Sequence, residues 1–363
     1  MRIALISTCA VPVPPRTYGG TELVIAELAK ELIHRGHDVT VFATGDSHPE
    51  CELRSHFDEA IWPPDSMAEL RHAAYAWRDI LLDRSPFDVV HAHQPQALAF
   101  SLVCPTPTVL TLHHDRLDAL AGYYRDFPAV EVVAISHRQA QLCPGMAVQH
   151  VVHHGLADDR YPMGEGDGGW LAFVGRFAPE KGPHVAIDVA IEAGASLRMG
   201  GQPHWEDYAY FEEEVRPRLE RAGSLVTWRG EVSFGPKLEI LCGAKATLFP
   251  IQWEEPFGLV MIESILVGTP VIALARGAAV EVIEDGITGF LAQDAVEMAD
   301  CVRRVGTIDR ARCRDRAKSR WSAPRMARDY ERVYEHAIRA HREAQVRIRS
   351  SATPQDLALV ASR

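Results

Sequence analysis

Residues 2–7 (RIALIS) form a short apolar run, and residues 22–34 (ELVIAELAKELIH) carry apolar side chains at helical spacing. Gly36 ends that periodicity and residues 38–43 (DVTVFA) are apolar again, which spells strand, helix and strand. The same grammar continues with FDVVHAH at 87–93, TPTVLTLHH at 106–114, EVVAIS at 131–136 and VQHVVHHG at 148–155. Strands this apolar, with helices between them, belong to a parallel sheet covered on both faces.

The pattern breaks at residues 155–169 (GLADDRYPMGEGDGG), a polar and glycine-rich stretch that reads as one flexible linker between domains. A second βα series starts at WLAFVGR, residues 170–176, and runs through SLRMGG, LVTWRG, ATLFP and PVIAL to GFLA. With 363 residues, 47% of them apolar, the chain exceeds one hydrophobic core and can fill two. The expected fold is therefore α/β, with Rossmann-like parallel-sheet domains at residues 1–160 and 170–320. In RMARDYERVYEHAIRAHRE, residues 325–343, the side chains Met326, Tyr330, Val333, Tyr334 and Ala337 make one apolar stripe.

Charge narrows the partners. A net charge of -11 offers no general attraction to nucleic acid, so none is expected as a partner. Residues 301–350 depart from this balance, with fifteen Arg or Lys against six Asp or Glu. That face reads either as solvated helix or as a peripheral contact with anionic lipid. The apolar start is too short for a secretory leader, and no segment has the run of apolar residues that a membrane span needs. Seven scattered cysteines without a C-x-x-C pair fit a reducing cytoplasm.

Chemistry concentrates at predicted strand ends. Gly19 and Gly20, in YGGTE at 18–22, precede the first helix, where paired glycines and helix-end amides serve either an anion or simply a tight turn. The loop matches neither the dinucleotide-binding nor the phosphate-loop spacing. Arg176 ends a strand and Lys181 returns beside it, two cations suited to a diphosphate. In IQWEEPFGLVMIESILVG, residues 251–268, Pro256 reads as an early helical residue. On that reading Phe257, Gly258 and Leu259 offer first-turn amides to an anion. Glu255 stands just outside this helix, and Glu263 lies within its apolar sequence, where a carboxylate needs donors such as ribose hydroxyls. His91 and His93, His113 and His114, and His153 and His154 pair at strand ends; packing, substrate contact and a metal all remain open for them. No metal is expected, because neither H-E-x-x-H nor Asp-x-Asp occurs. Residues 45–85, with Trp62, Pro63, Pro64, Met67, Tyr75 and Trp77, frame an apolar acceptor or pack a loop and helix.

Together, YGGTE at 18–22, TLHHD at 111–115, GRFAPEKG at 175–182, EEPFGLVMIE at 254–263 and EDGITGFL at 284–291 resemble the retaining glycosyltransferases of family 4, which have the GT-B fold. The resemblance implies an enzyme that moves a hexose-type sugar from a nucleoside-diphosphate sugar, uridine diphosphate before guanosine diphosphate, to a hydroxyl of a small molecule or glycan. It implies an acceptor-side first domain, a donor-binding second domain, and a final helix at 325–343 that returns to the first. Glu255 and His113, with His114 as the alternative, would contact the sugar. Glu263 would bind ribose, and Arg176 and Lys181 would hold the diphosphate with the amides of residues 257–259 and the loop at Gly19 and Gly20. The nucleotide sugar is a co-substrate, and no separate cofactor is implied. Where relatives carry a second glycine, Gly277 is followed by Ala278 and Ala279, with Glu281 available near the sugar. An epimerase, a phosphorylase and a nonenzymatic nucleotide-sugar sensor are the competing readings.

Overall fold

β1 (Arg2–Ile6) turns Ile3 and Leu5 to one side and Ala4 and Ile6 to the other, and all four side chains are wholly buried. This is a strand covered on both faces, as its unbroken apolar run requires. In the computed structural model, which describes residues 1–113, 118–142 and 146–351, it is an interior strand of a parallel sheet. The other strands of that sheet are β2 (Asp38–Ala43), β3 (Glu52–Ser55), β4 (Val89–Ala92), β5 (Thr108–Thr111), β6 (Glu131–Ala134) and β7 (His150–Val151). Their spatial order is β3-β2-β1-β4-β5-β6-β7, with Ile3 in register with Val39 on one side and Val89 on the other. Strand β3 is not foreshadowed by the hydrophobic pattern, since ELRS holds a single apolar residue and sits at a half-exposed edge.

The second sheet comprises β8 (Leu171–Val174), β9 (Leu197–Gly200), β10 (Val226–Trp228), β11 (Ala246–Phe249), β12 (Val271–Leu274) and β13 (Gly289–Ala292), in the order β10-β9-β8-β11-β12-β13. In both sheets the order reverses beside the first strand, between β1 and β4 and between β8 and β11. Loops that leave the carboxyl ends of such neighbours diverge and open a crevice.

The segment between the domains is not the loose linker that its polar composition predicts. Leu156 bridges Ser322, and Gly164, Gly166 and Gly168 donate their amides to Val267, Cys242 and Gly243 carbonyls at 2.8, 3.0 and 3.1 Å. Glu27 of the first domain accepts from Ala157 N and Arg160, both at 3.1 Å. Backbone lacing of this kind leaves no signature in residue type.

The helix Ala323–Ser351 lies on the first sheet. Met326, Tyr330, Val333, Tyr334 and Ala337 are buried in the same core cluster as Ile3, Leu5, Val24 and Leu28. Tyr334 Oη is 2.8 Å from His91 Nδ1, His91 Nε2 is 2.7 Å from Thr111 Oγ1, and Tyr330 Oη is 2.8 Å from the same hydroxyl. Burial drives the His91 pKa far down, so the ring is neutral and one of its nitrogens accepts. The apolar stripe of this helix is thereby consumed in the core rather than offered to lipid, and among the described residues no helix is long and apolar enough to cross a membrane. Replacing Tyr334 with Phe removes one partner of a buried ring nitrogen and should lower stability by about 1–3 kcal/mol. Urea unfolding checks this, and a loss under about 0.5 kcal/mol would show that the hydroxyl does not tie the helix down.

Candidate active site

Between the two sheets lies a cavity of roughly 1340 Å³ lined from both domains. Its second-domain wall carries charged side chains from the loops after β8 and β11, the two strands flanking the reversal of the second sheet. After β8, Arg176 is half-buried and carries the carboxylates of Glu180, Glu206 at 3.0 Å and Asp207 at 3.7 Å. Burial works against the guanidinium charge, but Glu180 and Asp207 outweigh it and raise its pKa. Lys181, one turn on, places Nζ 2.5 Å from Glu255 Oε2, which also accepts from Trp253 Nε1 at 2.8 Å. Both cations thus line the cavity already paired.

After β11 the chain runs through Glu254 and Glu255 to the helix Leu259–Leu266. The expected helix start at Pro256 is displaced, because Gly258 takes a left-handed conformation with φ 83° and caps the helix. The first-turn amides therefore begin at Leu259. Phe257 does not line the cavity; its ring is buried against His154 and Trp321, with centroids 5.0 and 5.8 Å away. Gly277 is required by close approach, since a Cβ there would fall 2.3 Å from the Glu255 nitrogen. That contact fixes the loop bearing Glu255.

Glu263 faces the cavity at 4% exposure, so its helix does not turn it to solvent. Its Oε1 accepts from Lys237 Nζ at 2.5 Å and Tyr161 Oη at 3.1 Å. Lys237 is a cavity residue that sequence reasoning missed, because a single lysine in the amphipathic helix Phe234–Cys242 reads as a solvated charge. Glu180 was missed as well, although it lies four residues after Arg176 in a loop already singled out.

From the first domain, Gly19, Gly20 and His113 reach the same cavity. Gly20 is the first residue of the helix Gly20–His34, and a Cβ built on it would lie 3.2 Å from Leu259 Cδ1, so this glycine turn faces the start of the helix Leu259–Leu266. His113 Nε2 is 2.8 Å from His93 Nδ1, and its ring stacks on His154 with centroids 5.5 Å apart. His93 and His154 are buried, and desolvation pushes both far toward the neutral form, His154 down to about 3. His93 is thus a positioning partner for His113. The alternative, His114, lies outside the described residues.

Glu281 does not line the cavity. It accepts from the backbone amides of His137 and Arg138 at 2.9 and 2.6 Å and bonds His153 Nε2 at 2.9 Å, tying the second domain to the first. Among the described residues His137, His153 and Glu281 form one group with metal-ligating atoms close together, and Glu131, His150 and His336 form another; both stand away from the cavity lining.

Residues 18–160 match the family model for Glycosyltransferase Family 4, and residues 168–307 match that for Glycosyl transferases group 1. The chain is a GT-B fold glycosyltransferase, related to the family 4 and group 1 enzymes. A glycogen synthase of Mycobacterium tuberculosis is 27% identical to this glycosyltransferase over a gapped alignment of 419 positions that covers 96% of the chain and 98% of the relative. Among solved structures, sucrose-phosphate synthase from Thermosynechococcus elongatus shares the fold with a TM-score of 0.78 at 18% identity, covering 93% of this chain and 99% of that one. Anabaena HepE, solved with UDP and glucose, superposes with a TM-score of 0.73 at 18% identity over 92% of this chain and 99% of that one.

The buried histidines make the enzyme acid-sensitive. Unfolded histidine titrates near 6.5, whereas folded His154 stays neutral to about 3, so its contribution is complete above about 6.5 and is lost as the pH falls toward 3. In urea unfolding, His154→Asn should flatten the stability curve between pH 6 and 4 by up to about 1.4 kcal/mol per pH unit. An unchanged slope would contradict neutral burial of this ring.

Proposed function

We propose that this glycosyltransferase binds a UDP-sugar on its second domain and moves the sugar, with retention of configuration, to a hydroxyl acceptor held by the first. The observation that carries the reading is the set of basic groups, Arg176, Lys181 and Lys237, on the cavity wall where the second sheet reverses, each paired with a carboxylate that lines the same cavity. An arriving diphosphate exchanges for Glu180 at Arg176 and for Glu255 at Lys181, with the Leu259 and Val260 amides as further donors. Glu255, released, accepts from sugar hydroxyls. Glu263 has both present bonds on Oε1, which leaves Oε2 for ribose. His113, held by His93, faces the sugar from the first domain. HepE, solved with UDP and glucose on the same fold, supports uridine diphosphate as the carrier.

In the reaction the bond from the anomeric carbon to the phosphate oxygen breaks while the acceptor oxygen bonds that carbon on the same face. The acceptor proton passes to the departing phosphate oxygen. Charge grows on the diphosphate as the bond lengthens, and Arg176, Lys181 and the helix amides oppose it most strongly at that point. A glycoside hydrolase needs a second carboxylate across the sugar, and Glu263 is engaged with Lys237 instead. A sugar-nucleotide sensor would share the site but show no turnover. The free thiols among the described residues and the buried stripe of the closing helix favour a cytoplasmic enzyme over one held at a membrane surface.

A mass-spectrometric matrix of nucleotide sugars against acceptors, with UDP release followed in parallel, tests the activity; donor binding without release across the panel would favour the sensor. Lys181→Ala should lower kcat/KM at least about tenfold at saturating acceptor. Unchanged kinetics would remove Lys181 from the diphosphate site. Glu263→Gln should weaken UDP about tenfold in calorimetry yet leave inorganic pyrophosphate unaffected, because only UDP carries the ribose. Equal weakening of the two would mean that Glu263 acts by holding Lys237 at the phosphates and not on the ribose.

A further inference from the structure

Away from the cavity, the closing helix Ala323–Ser351 meets the first sheet at three side chains that sugar transfer does not use. β6 and β7 are parallel neighbours with Val133 in register with His150, and β7 ends the sheet. Residues two apart on a strand share a face, as do residues paired across neighbouring strands, so Glu131, Val133 and His150 point to one side. The closing helix covers that side, since Val133 and Val333 are buried in the same core cluster. His336 follows Val333 by three residues, at the rim of the helix, and comes down beside Glu131 and His150. Glu131 opens β6 and His150 opens β7, which puts the group at the amino ends of the strands, opposite the ends that line the cavity.

Both histidines turn Nε2 to one carboxylate. His150 Nε2 is 3.0 Å from Glu131 Oε2, and His336 Nε2 is 3.5 Å from Glu131 Oε1. The rings stand edge to face with centroids 5.1 Å apart, and one ligand atom from each of the three residues lies within 4.8 Å of the others. In a tetrahedral zinc site with bonds of about 2.0–2.2 Å, neighbouring ligand atoms are about 3.3–3.6 Å apart. The three atoms therefore need little movement to enclose an ion.

The donor set decides which ion fits. Two imidazole nitrogens with one carboxylate suit a borderline cation such as Zn2+, whereas Mg2+ and Ca2+ call for oxygen. Glu131 and His150 are 14% and 21% exposed and His336 is 43% exposed, which gives an entry path and a fourth position for water. Coordination through Nε2 puts the ring hydrogen on Nδ1. The exposed Arg339, 3.3 Å from His336 Nδ1, then turns away into water. The group at His137, His153 and Glu281 offers less, because Glu281 already accepts from two backbone amides and bonds His153.

We propose that Glu131, His150 and His336 form a divalent-metal site of the zinc type that clamps the closing helix to the edge of the first sheet. The ion joins β6, β7 and the last helix at one centre, and its role is structural, because it stands away from the cavity. Whole protein, stripped with a chelator and dialysed, is titrated by calorimetry with Zn2+ and separately with Mg2+. Zn2+ should bind with a Kd below about 10 µM, and Mg2+ should not bind in that range. His336→Ala and Glu131→Gln should each weaken Zn2+ about tenfold or more, while His137→Ala, at the other group, leaves the affinity within about twofold. At about a hundredfold excess of free Zn2+ over Kd, the thermal midpoint of the wild type should rise by about 5 °C, and that of His336→Ala at the same concentration by no more than about half as much. Absence of binding up to about 100 µM, an affinity unmoved in both ligand variants, or a loss confined to His137→Ala overturns the site. Binding that leaves the wild-type midpoint unmoved overturns the clamp.

Discussion

Among the described residues each lysine or arginine that lines the cleft is paired: Glu180 holds Arg176, Glu255 holds Lys181 and Glu263 holds Lys237. In a chain with a net charge of -11, a half-buried cation without a partner would be costly, and neighbouring carboxylates are the available remedy. The pairing positions each long side chain before any ligand arrives. On the proposed function it would also couple two events, because a diphosphate that takes Arg176 and Lys181 would release the carboxylate of Glu255 into the cavity. A donor lacking either part would leave one half of the exchange uncompensated.

That arrangement depends on backbone features remote from the charges. Arg176 and Lys181 leave β8, and Glu255 follows β11, because the second sheet reverses between those strands. Gly277 lets a neighbouring loop press on the Glu255 backbone, and Gly258 sets where the helix Leu259–Leu266 begins. The facing wall is built in the same way at β1 and β4. The two domains are joined side by side where Leu156 meets Ser322, and Glu281 and Glu27 tie across the junction. The closing helix spends its apolar stripe on the first sheet, which makes the last segment part of the first domain's core.

Much of this was legible in the residues. Apolar runs separated by helical periodicity gave the βα order, because a doubly covered strand has no polar face to obscure it. Arg176, Lys181 and Glu255 stood out at strand ends, and Glu263 stood out as a carboxylate in an apolar helix. Lys237 did not, since nothing in its helix distinguishes a cation aimed into a cleft from one aimed at water. Pro256 gave a genuine helix-start signal that Gly258 overrode. Glu281 looked like a sugar ligand until the fold brought it to amides 143 and 144 residues away in sequence. The linker hid its order in backbone hydrogen bonds, which composition cannot register. The first-domain wall of the cavity was illegible for a related reason: Thr8, Glu22, Glu69 and Gln94 come from four separate segments that only the fold assembles.

A crystal structure of the enzyme with UDP-glucose measures the central exchange directly. The account predicts pyrophosphate oxygens within hydrogen-bond distance of Arg176 and Lys181, with Glu180 and Glu255 displaced from them and Glu263 on the ribose. Nucleotide bound with the Lys181–Glu255 and Arg176–Glu180 pairs intact would contradict it.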